Sequence, residues 1–267
     1  MEFGTGSNVA IIVLWNYFSI LVNVVAFVII YMKAKRSPSL KAFFLVQLSM
    51  LLWLVGKVLK TVSPNEELRW FFIVFYYAGI CLLEVSFFDF AYIYGKNKPL
   101  KKPFRIAVYL LGFLQFMTVV TNPYHHLFYS VYGFWEDEFG ALFYVHVVIN
   151  YGFMIAAMIL AGRKFKIQLS DKTRAEKNLI SLAILVPLVL NFVYITRMLE
   201  SLFRILHIQI FDITPIVYTW SNLIFVYATY KYEFFDLTPI MKHEIARKLD
   251  TPVLILNRER ALLYANE

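Results

Sequence analysis

Residues 8–32 read NVAIIVLWNYFSILVNVVAFVIIYM, and residues 33–41, which follow directly, read KAKRSPSLK. The first stretch contains no Asp, Glu, Lys or Arg. Because an α-helix needs about 20 apolar residues to cross the hydrocarbon core of a bilayer, this stretch predicts a membrane-spanning helix. The second stretch carries four basic residues, and such clusters beside a span mark its cytoplasmic end.

Apolar runs of similar length recur along the rest of the chain. With the first run they predict seven spans, near residues 8–32, 39–61, 70–95, 104–120, 141–162, 178–205 and 211–231. Hydrophobic residues make up 60% of the 267 residues and charged residues only 16%, whereas soluble domains have about 25% charged residues. The sequence lacks strand-like alternation at the spacing of a membrane barrel. We therefore predict an all-α membrane protein, a seven-transmembrane helix bundle.

The distribution of basic residues predicts the orientation of the bundle. Of the 26 Lys and Arg residues, 21 lie in the segments after spans 1, 3, 5 and 7. The opposite side has only Lys57, Lys60, Arg69, Arg197 and Arg204. The N-terminus is therefore predicted to lie outside the cell membrane and the C-terminus in the cytoplasm. Since the net charge of +8 is sorted by membrane side, we expect the lipid bilayer, and not nucleic acid, as its partner.

The sequence divides into four segments. Residues 1–7 are predicted to be a linker, since they lack the basic start and the cleavage site of a signal peptide. Residues 8–231 are predicted to form the bundle. Residues 232–250 predict a cytoplasmic linker with a short amphipathic signalling helix, PIMKHEIARKL. Residues 251–267 predict two short strands, VLIL and ALLY, joined by the turn NRER. Because two strands cannot form a core, we expect the chain to stop at the start of an incomplete cytoplasmic domain.

The sequence FDITPI at residues 211–216 recurs as FDLTPI at residues 235–240. In each copy Asp or Thr can cap a helix, and Pro suits the first helical turn. One copy would start span 7 and the other the cytoplasmic helix. Two interpretations remain open: two ordinary helix starts, or a joint that transmits motion of span 7. In the second interpretation the transmitting residues are Phe235, Asp236, Thr238 and Pro239.

Several motifs carry a family resemblance: TNPYHHLF at residues 121–128, GALFYVH at residues 140–146, and Asn150-Tyr151. They resemble the N-terminal seven-transmembrane region of bacterial and archaeal sensor histidine kinases, which is also found on diguanylate cyclases. FDLTP at residues 235–239, followed by VLILNRERALLYANE, resembles the family's passage from the last span into a PAS domain. The resemblance covers residues 8–267 and agrees with the predicted topology.

The resemblance implies a sensor that detects an extracellular or membrane-embedded signal, a small molecule or a lipid, and controls a cytoplasmic output domain. It also implies a homodimer in the intact protein and, where the output is a kinase, a cytoplasmic response regulator as partner. The chain contains no kinase or cyclase domain, so we expect no catalytic residue and no cofactor in it. The alternative from another class is a small-solute or proton-coupled transporter, although paired inverted halves are not visible in the sequence.

Two acidic residues in span 3, Glu84 and Asp89, are candidates for function. A charged side chain at mid-membrane costs about 2.5–3.5 kcal/mol on insertion scales, so both should face the bundle interior. Glu84 lies about 21 Å along the helix from Trp70, well inside the hydrocarbon. Each carboxyl group is either a structural hydrogen-bonding group or a functional one, a ligand contact or a proton-responsive switch.

A second group of candidates lies in spans 5 to 7. Arg197, Glu200 and Arg204 share a helical face, so they either pair with one another or bind an anionic ligand near the outer leaflet. Asn150 either forms an interhelical hydrogen bond or lines a pocket. The full set of candidate ligand-binding residues is Glu84, Asn150, Tyr194, Arg197, Glu200, Trp220 and Asn222.

The histidines and the outer loop complete the sequence analysis. His125, His126 and His146 do not predict a metal site, because adjacent histidines do not share a helical face and no carboxylate lies at ligand spacing. Residues 122–140 are rich in aromatic and acidic side chains. They predict either an interfacial aromatic belt or a small lid over the mouth of the bundle.

Overall fold

The computed structural model describes residues 3–34, 36–96, 98–132, 137–162, 171–196, 214–232, 254–256 and 262–265. Long helices account for most of these residues. In chain order the elements are α1 Phe3–Lys33, α2 Pro38–Val62, α3 Glu66–Lys96, α4 Lys102–Val120, α5 Asn122–His125, β1 Tyr129–Tyr132, β2 Asp137–Phe139, α6 Ala141–Gly162, α7 Asp171–Ile195, α8 Thr214–Tyr232, β3 Leu254–Leu256 and β4 Leu262–Ala265.

Within the described residues, six helices are long and apolar enough to cross a membrane: α1, α2, α3, α4, α6 and α7. The predicted helical, multi-pass character is confirmed, but α8, the seventh predicted span, is not among the six. α8 has 19 residues and carries the polar residues Thr219, Ser221 and Asn222. All three side chains are buried. The polar face of α8 therefore points into the bundle and lowers the apolar character of the helix as a whole.

Two helices, α1 and α7, differ from the predicted spans at their ends. α1 begins at Phe3, inside the segment 1–7 that was predicted to be a linker. α7 begins at Asp171 and ends at Ile195, whereas the apolar run predicted 178–205. Its first turns are charged, so a search for apolar runs misses them. Pro187 lies inside α7 and is buried, and residues 197–213 lie outside the described residues.

The long helices α1, α2, α3, α6, α7 and α8 follow one another around a ring, and α4 packs against α3. α3 contacts α2, α4 and α6, while α1 contacts α2 and α8, and α7 contacts α6 and α8. Almost every residue of α3 from Leu83 to Tyr94 is buried. A helix that is buried on all sides is apolar on all sides and has no single core-facing stripe. This explains why α3 can carry Glu84 and Asp89 without exposing either carboxyl group to lipid.

Two glycines allow α2 and α3 to approach closely. A Cβ atom at Gly79 would lie 2.7 Å from both the Ser49 carbonyl oxygen and the Trp53 backbone nitrogen. A Cβ atom at Gly56 would lie 2.6 Å from the Tyr76 Cβ. Small residues are the usual means by which helices pack tightly in membranes. The close approach positions Trp53 and Tyr76, which line the cavity described below.

A short helix and a hairpin connect α4 to α6. β1 and β2 pair antiparallel, with Tyr129 opposite Phe139. The fully buried Asn122 anchors them: its Oδ1 accepts hydrogen bonds from the backbone N–H groups of Phe128 (2.8 Å) and Tyr129 (3.0 Å). Its Nδ2 donates to the Tyr129 carbonyl oxygen at 3.1 Å. The sequence analysis missed this hairpin because strands of 4 and 3 residues are too short to show an alternating pattern.

A second pair of strands lies near the C-terminus. β3 and β4 pair antiparallel, with Leu254 opposite Ala265, so the two short strands predicted there are present. The predicted signalling helix lies outside the described residues. So do the predicted transmitting residues Phe235, Asp236, Thr238 and Pro239.

Candidate functional site

A cavity opens beside the hairpin, between α2, α3, α6, α7 and α8. Its empty space is about 740 Å³, including the part open to solvent. We call it the hairpin cavity. It is lined by Trp53, Lys57, Tyr76, Tyr77, Ile80, Leu83, Tyr129, Asp137, Phe139, Phe143, His146, Val147, Asn150, Tyr151, Met154, Asn191, Tyr194, Ile195 and Tyr218. Its walls are therefore mostly aromatic, with amide, imidazole and charged groups among the rings.

Three tyrosine hydroxyls meet on one wall of the hairpin cavity. The Tyr129 hydroxyl lies 2.9 Å from the Tyr77 hydroxyl and 3.2 Å from the Tyr76 hydroxyl. Burial raises the pKa of Tyr129 well above its ordinary range, so this hydroxyl keeps its proton. The cluster joins the hairpin to α3 through neutral hydroxyl groups, each of which can both donate and accept.

An ion pair joins the hairpin to α2. The Lys60 Nζ lies 2.9 Å from the Asp137 Oδ2. Lys57, one turn earlier on α2, lies over the Tyr76 ring, with its Nζ 5.5 Å from the ring centroid. Lys57 and Arg69 are both close enough to Lys60 to repel its charge. Asp137 is the one acidic residue in the described lining. Its charge is neutralised by Lys60, which does not itself line the cavity.

Glu84 belongs to a buried hydrogen-bond network that connects α3, α4 and α6. The Gln115 Nε2 donates to the Glu84 Oε1, and the Gln115 Oε1 accepts from the His146 Nδ1 at 2.8 Å. Asn150, one turn after His146, interacts with the same carboxyl group. Glu84 is fully buried and does not line the hairpin cavity, whereas His146 and Asn150 do. The Glu84 carboxyl group is thus connected to the cavity through His146 and Asn150, which line it.

A second cavity, which we call the deep cavity, adjoins the first. Its empty space is about 440 Å³, and it shares Leu83, Met154 and Tyr218 with the hairpin cavity. It is lined by Phe43, Val46, Met50, Leu83, Phe87, Met154, Ala183, Ile184, Leu188, Tyr218, Ser221, Asn222 and Phe225. Most of these side chains are apolar. The lining is therefore more polar in the hairpin cavity than in the deep cavity.

Asn222, at the wall of the deep cavity, holds α8 against α1 and α2. Its Oδ1 accepts from the Gln47 Nε2 at 2.6 Å, and its Nδ2 donates to the Gln47 Oε1 at 3.0 Å. The same Nδ2 also donates to the Asn23 Oδ1. Asn23 in turn donates to the Thr219 hydroxyl at 2.9 Å. Because all these groups are buried, the network fixes one packing of α8 on its neighbours.

Asp89 lies toward the other end of α3, away from the hairpin. Its Oδ2 accepts from the Arg105 Nε at 2.9 Å and from the Tyr109 hydroxyl at 3.2 Å. Both donors are on α4. The ion pair between Asp89 and Arg105 thus joins α3 to α4, and the Arg105 side chain is half-exposed. This arrangement is expected of a structural carboxylate near a membrane surface.

The structure brings some of the predicted ligand-binding residues together and separates others. Asn150 and Tyr194 line the hairpin cavity, Glu84 bonds to Gln115 behind it, and Asn222 lines the deep cavity. Trp220 is 64% exposed and lines neither cavity. Arg197 and Glu200 lie outside the described residues.

Sequence reasoning missed three residues of this region. Trp53 and Gln115 were not singled out, and His146 was considered only as a metal ligand. Amide and imidazole groups inside a predicted span are themselves a signal, because polar groups in lipid need internal partners. The described residues contain no group of three or more His, Cys, Asp or Glu that could hold a metal ion.

The fold and the cavities define the class of protein: a multi-pass membrane protein that encloses a polar, aromatic cavity beside a hairpin at one end of its helices. The family described as the N-terminal 7TM region of histidine kinase matches residues 17–239, from within α1 to beyond the end of α8. The chain therefore belongs to this family, a transmembrane sensor module of histidine kinases. This confirms the resemblance to the seven-transmembrane region over residues 17–239, whereas the resemblance to a following PAS domain stays a prediction. A search of curated proteins and a search of solved structures found no match.

Proposed function

We propose that the chain detects a signal in the hairpin cavity and passes it through α8 to a cytoplasmic output domain. One observation carries the proposal: Tyr218 of α8 lines both cavities. Of the described helices, α8 is also the last one before the predicted linker, residues 232–250. A molecule that fills the hairpin cavity would therefore touch the helix that leads to the output domain.

The proposal includes an orientation for the bundle. α8 would be the seventh span, with its polar face turned toward α1, α2 and α7. The N-terminus and the hairpin would lie outside the cell membrane and the linker in the cytoplasm, as the excess of basic residues on the linker side favours. In this orientation the mouth of the hairpin cavity opens to the outside, where a signal molecule would arrive.

Signalling requires two packings of α8 that differ in their affinity for the signal. The contact that would have to change is the network around Asn222. Interhelical hydrogen bonds in membranes contribute about 0.6 kcal/mol each on average, so a few such bonds amount to about 2 kcal/mol. A signal that binds one packing a hundredfold more tightly supplies about 2.8 kcal/mol. The network is thus strong enough to favour one packing and weak enough to be displaced.

The test is a chimeric receptor in which residues 1–250 are joined to the catalytic core of a characterised histidine kinase, with phosphorylation measured in membranes. We expect Val147→Trp, which fills the hairpin cavity, and Tyr218→Ala, which alters the α8 wall, to shift basal phosphorylation several-fold. Trp220→Ala is the matched control, because Trp220 is on the same helix but faces away from both cavities. If the two cavity variants reach the membrane intact and leave phosphorylation unchanged, the proposal is wrong.

A further inference from the structure

The polar groups in the described lining of the deep cavity are already bonded within the protein. The Ser221 hydroxyl donates to a carbonyl oxygen of α7 at 2.5 Å, and the Asn222 amide is bonded to Gln47 and Asn23. Apart from Tyr218, the other described residues of the lining are apolar, and none is charged. An ionic or strongly polar molecule would lose its hydration here without gaining new partners, which is costly.

An uncharged, apolar molecule suits the same lining. Its surface comes largely from three phenylalanine rings and two methionine side chains: Phe43, Phe87, Phe225, Met50 and Met154. Methionine side chains are flexible and adapt to occupants of different shape. Apolar cavities inside proteins stay dry and take up small apolar molecules, since empty apolar space lacks dispersion contacts. The lining therefore selects an apolar occupant.

The helices α6 and α7 form the weakest joint of the ring around this cavity. Among the described residues, their contact is the smallest between consecutive helices of the ring. The Tyr151 hydroxyl donates to the Asn191 Oδ1 at 2.9 Å and lies 3.4 Å from the Leu188 carbonyl oxygen. The Tyr151 ring also meets the Phe192 ring edge to face at 5.9 Å. We call this contact between Tyr151 and Asn191 the seam.

The seam lies at the level of the bilayer core and in front of the cavity. Tyr151 is halfway along the 22 residues of α6, about 15 Å from either end, and the hydrocarbon core is about 30 Å thick. Val148 and Ile155, on the same face of α6, are exposed. Met154 of α6 and Leu188 of α7 line the deep cavity. A molecule dissolved in the bilayer would therefore meet the seam directly.

From the apolar lining and the position of the seam, we infer that the deep cavity binds a small, uncharged apolar molecule that enters from the bilayer between α6 and α7. The hydrogen bond between Tyr151 and Asn191 breaks for entry and forms again afterwards. A lipid acyl chain has the same chemistry, but it would hold the seam open, whereas a free molecule fits while the seam is closed. This site is separate from the signal site proposed above, so its test needs no output domain.

Photolabelling of the purified chain in phosphatidylcholine nanodiscs tests the site. The probe is 3-(trifluoromethyl)-3-(m-iodophenyl)diazirine, an uncharged apolar molecule, and mass spectrometry of peptides locates the label. Met50 is buried on α2 and lines the deep cavity, whereas Leu114 on α4 is exposed and reports contact with lipid. We expect labelling of Met50 to saturate as the probe concentration rises, and labelling of Leu114 to rise in proportion. An unlabelled Met50, or equal, unsaturated labelling of both, would overturn the inference.

A cross-link across the seam tests the route of entry. In a Cys81→Ala background, which removes the one cysteine of the chain, Tyr151→Cys and Asn191→Cys are joined by a bifunctional methanethiosulfonate. Cross-linking before the probe is added should reduce Met50 labelling several-fold and leave Leu114 unchanged. Dithiothreitol, which cleaves the cross-link, should restore the labelling. Unchanged Met50 labelling in the cross-linked protein would show that the probe enters elsewhere and would overturn the route.

A milder variant keeps the route testable if the cysteine pair does not fold. Tyr151→Phe removes the hydroxyl of the seam and keeps the ring. When the interval between probe addition and the light flash is varied, Met50 should be labelled faster in Tyr151→Phe than in the wild type. An equal rate in the two proteins would contradict the role given to the seam.

A second probe separates a free molecule from a lipid acyl chain. A phosphatidylcholine that carries a diazirine in one acyl chain is incorporated into the nanodiscs in place of the small probe. We expect this lipid to label Leu114 and to leave Met50 unlabelled. Labelling of Met50 by the lipid would overturn the assignment to a free molecule and identify an acyl chain as the occupant.

Discussion

The Ser221 hydroxyl of α8 donates a hydrogen bond of 2.5 Å to the carbonyl oxygen of Ala183 in α7. Ala183 is the residue whose carbonyl Pro187, four residues later in the helix, cannot bond, because proline has no N–H. Inside a bilayer no water can replace that partner, and a Ser side chain on a neighbouring helix is one of the groups that can. The irregularity in α7 is thus compensated by α8, which ties the two helices together.

Removal of the Ser221 hydroxyl should therefore destabilise the bundle in a way that depends on Pro187. We expect Ser221→Ala to lower the free energy of unfolding by about 0.6–1.7 kcal/mol. In a Pro187→Ala background, where residue 187 regains its N–H, the same change should cost much less. Unfolding of all four proteins by SDS titration in mixed micelles measures the coupling. An equal cost of Ser221→Ala in both backgrounds would contradict the explanation.

The Asn222 network makes a second prediction about α8. Asn222→Leu removes the partner of both Gln47 and Asn23, so it leaves buried amide groups unsatisfied and should cost about 1–3 kcal/mol of unfolding free energy. Thr229→Val is the matched control, because the buried Thr229 hydroxyl donates to the Phe225 carbonyl of its own helix. We expect the control to lie within about 0.5 kcal/mol of the wild type. Thermal unfolding in detergent measures both variants, and equal losses would show that the network does not fix α8.

Substitution by alanine should have opposite effects on stability at two glycines. Gly79 lies in the contact between α2 and α3, and Gly152 lies on α6. Gly79→Ala places a Cβ 2.7 Å from backbone atoms of α2, so the helices must separate, at a cost of about 1–3 kcal/mol. Gly152→Ala on α6 meets nothing within 4 Å and should stabilise the helix by up to about 1 kcal/mol. Unfolding free energies of the two variants give the comparison. If Gly79→Ala is as stable as the wild type, α2 and α3 do not approach as closely as the structure shows.

The sequence predicted the helices well because apolar length alone determines what can cross a bilayer. It predicted less about the site, because the partner of a polar group in one span lies on another span. Glu84 was recognisable as a candidate, but nothing in the order of residues indicates that Gln115 stands between it and His146. Asn222 was recognisable as a candidate ligand-binding residue, but nothing in the order of residues indicates that its hydrogen-bond partners are Asn23 on α1 and Gln47 on α2. Such pairings depend on the rotation of each helix about its axis, which a run of apolar residues does not specify.

The hairpin provides the last prediction, because one side chain holds it in place. Asn122 forms three hydrogen bonds with the backbone of Phe128 and Tyr129, so Asn122→Ala should release β1 and move the Tyr129 hydroxyl away from Tyr76 and Tyr77. Ser130→Ala is the control, since the Ser130 hydroxyl donates to the exposed Glu138 and not to the backbone of Phe128 or Tyr129. We expect hydrogen exchange at Phe128 and Tyr129 to accelerate about tenfold or more in Asn122→Ala and to remain unchanged in Ser130→Ala. Unchanged exchange at these two amides would mean that the strand is held by its pairing with β2 rather than by Asn122.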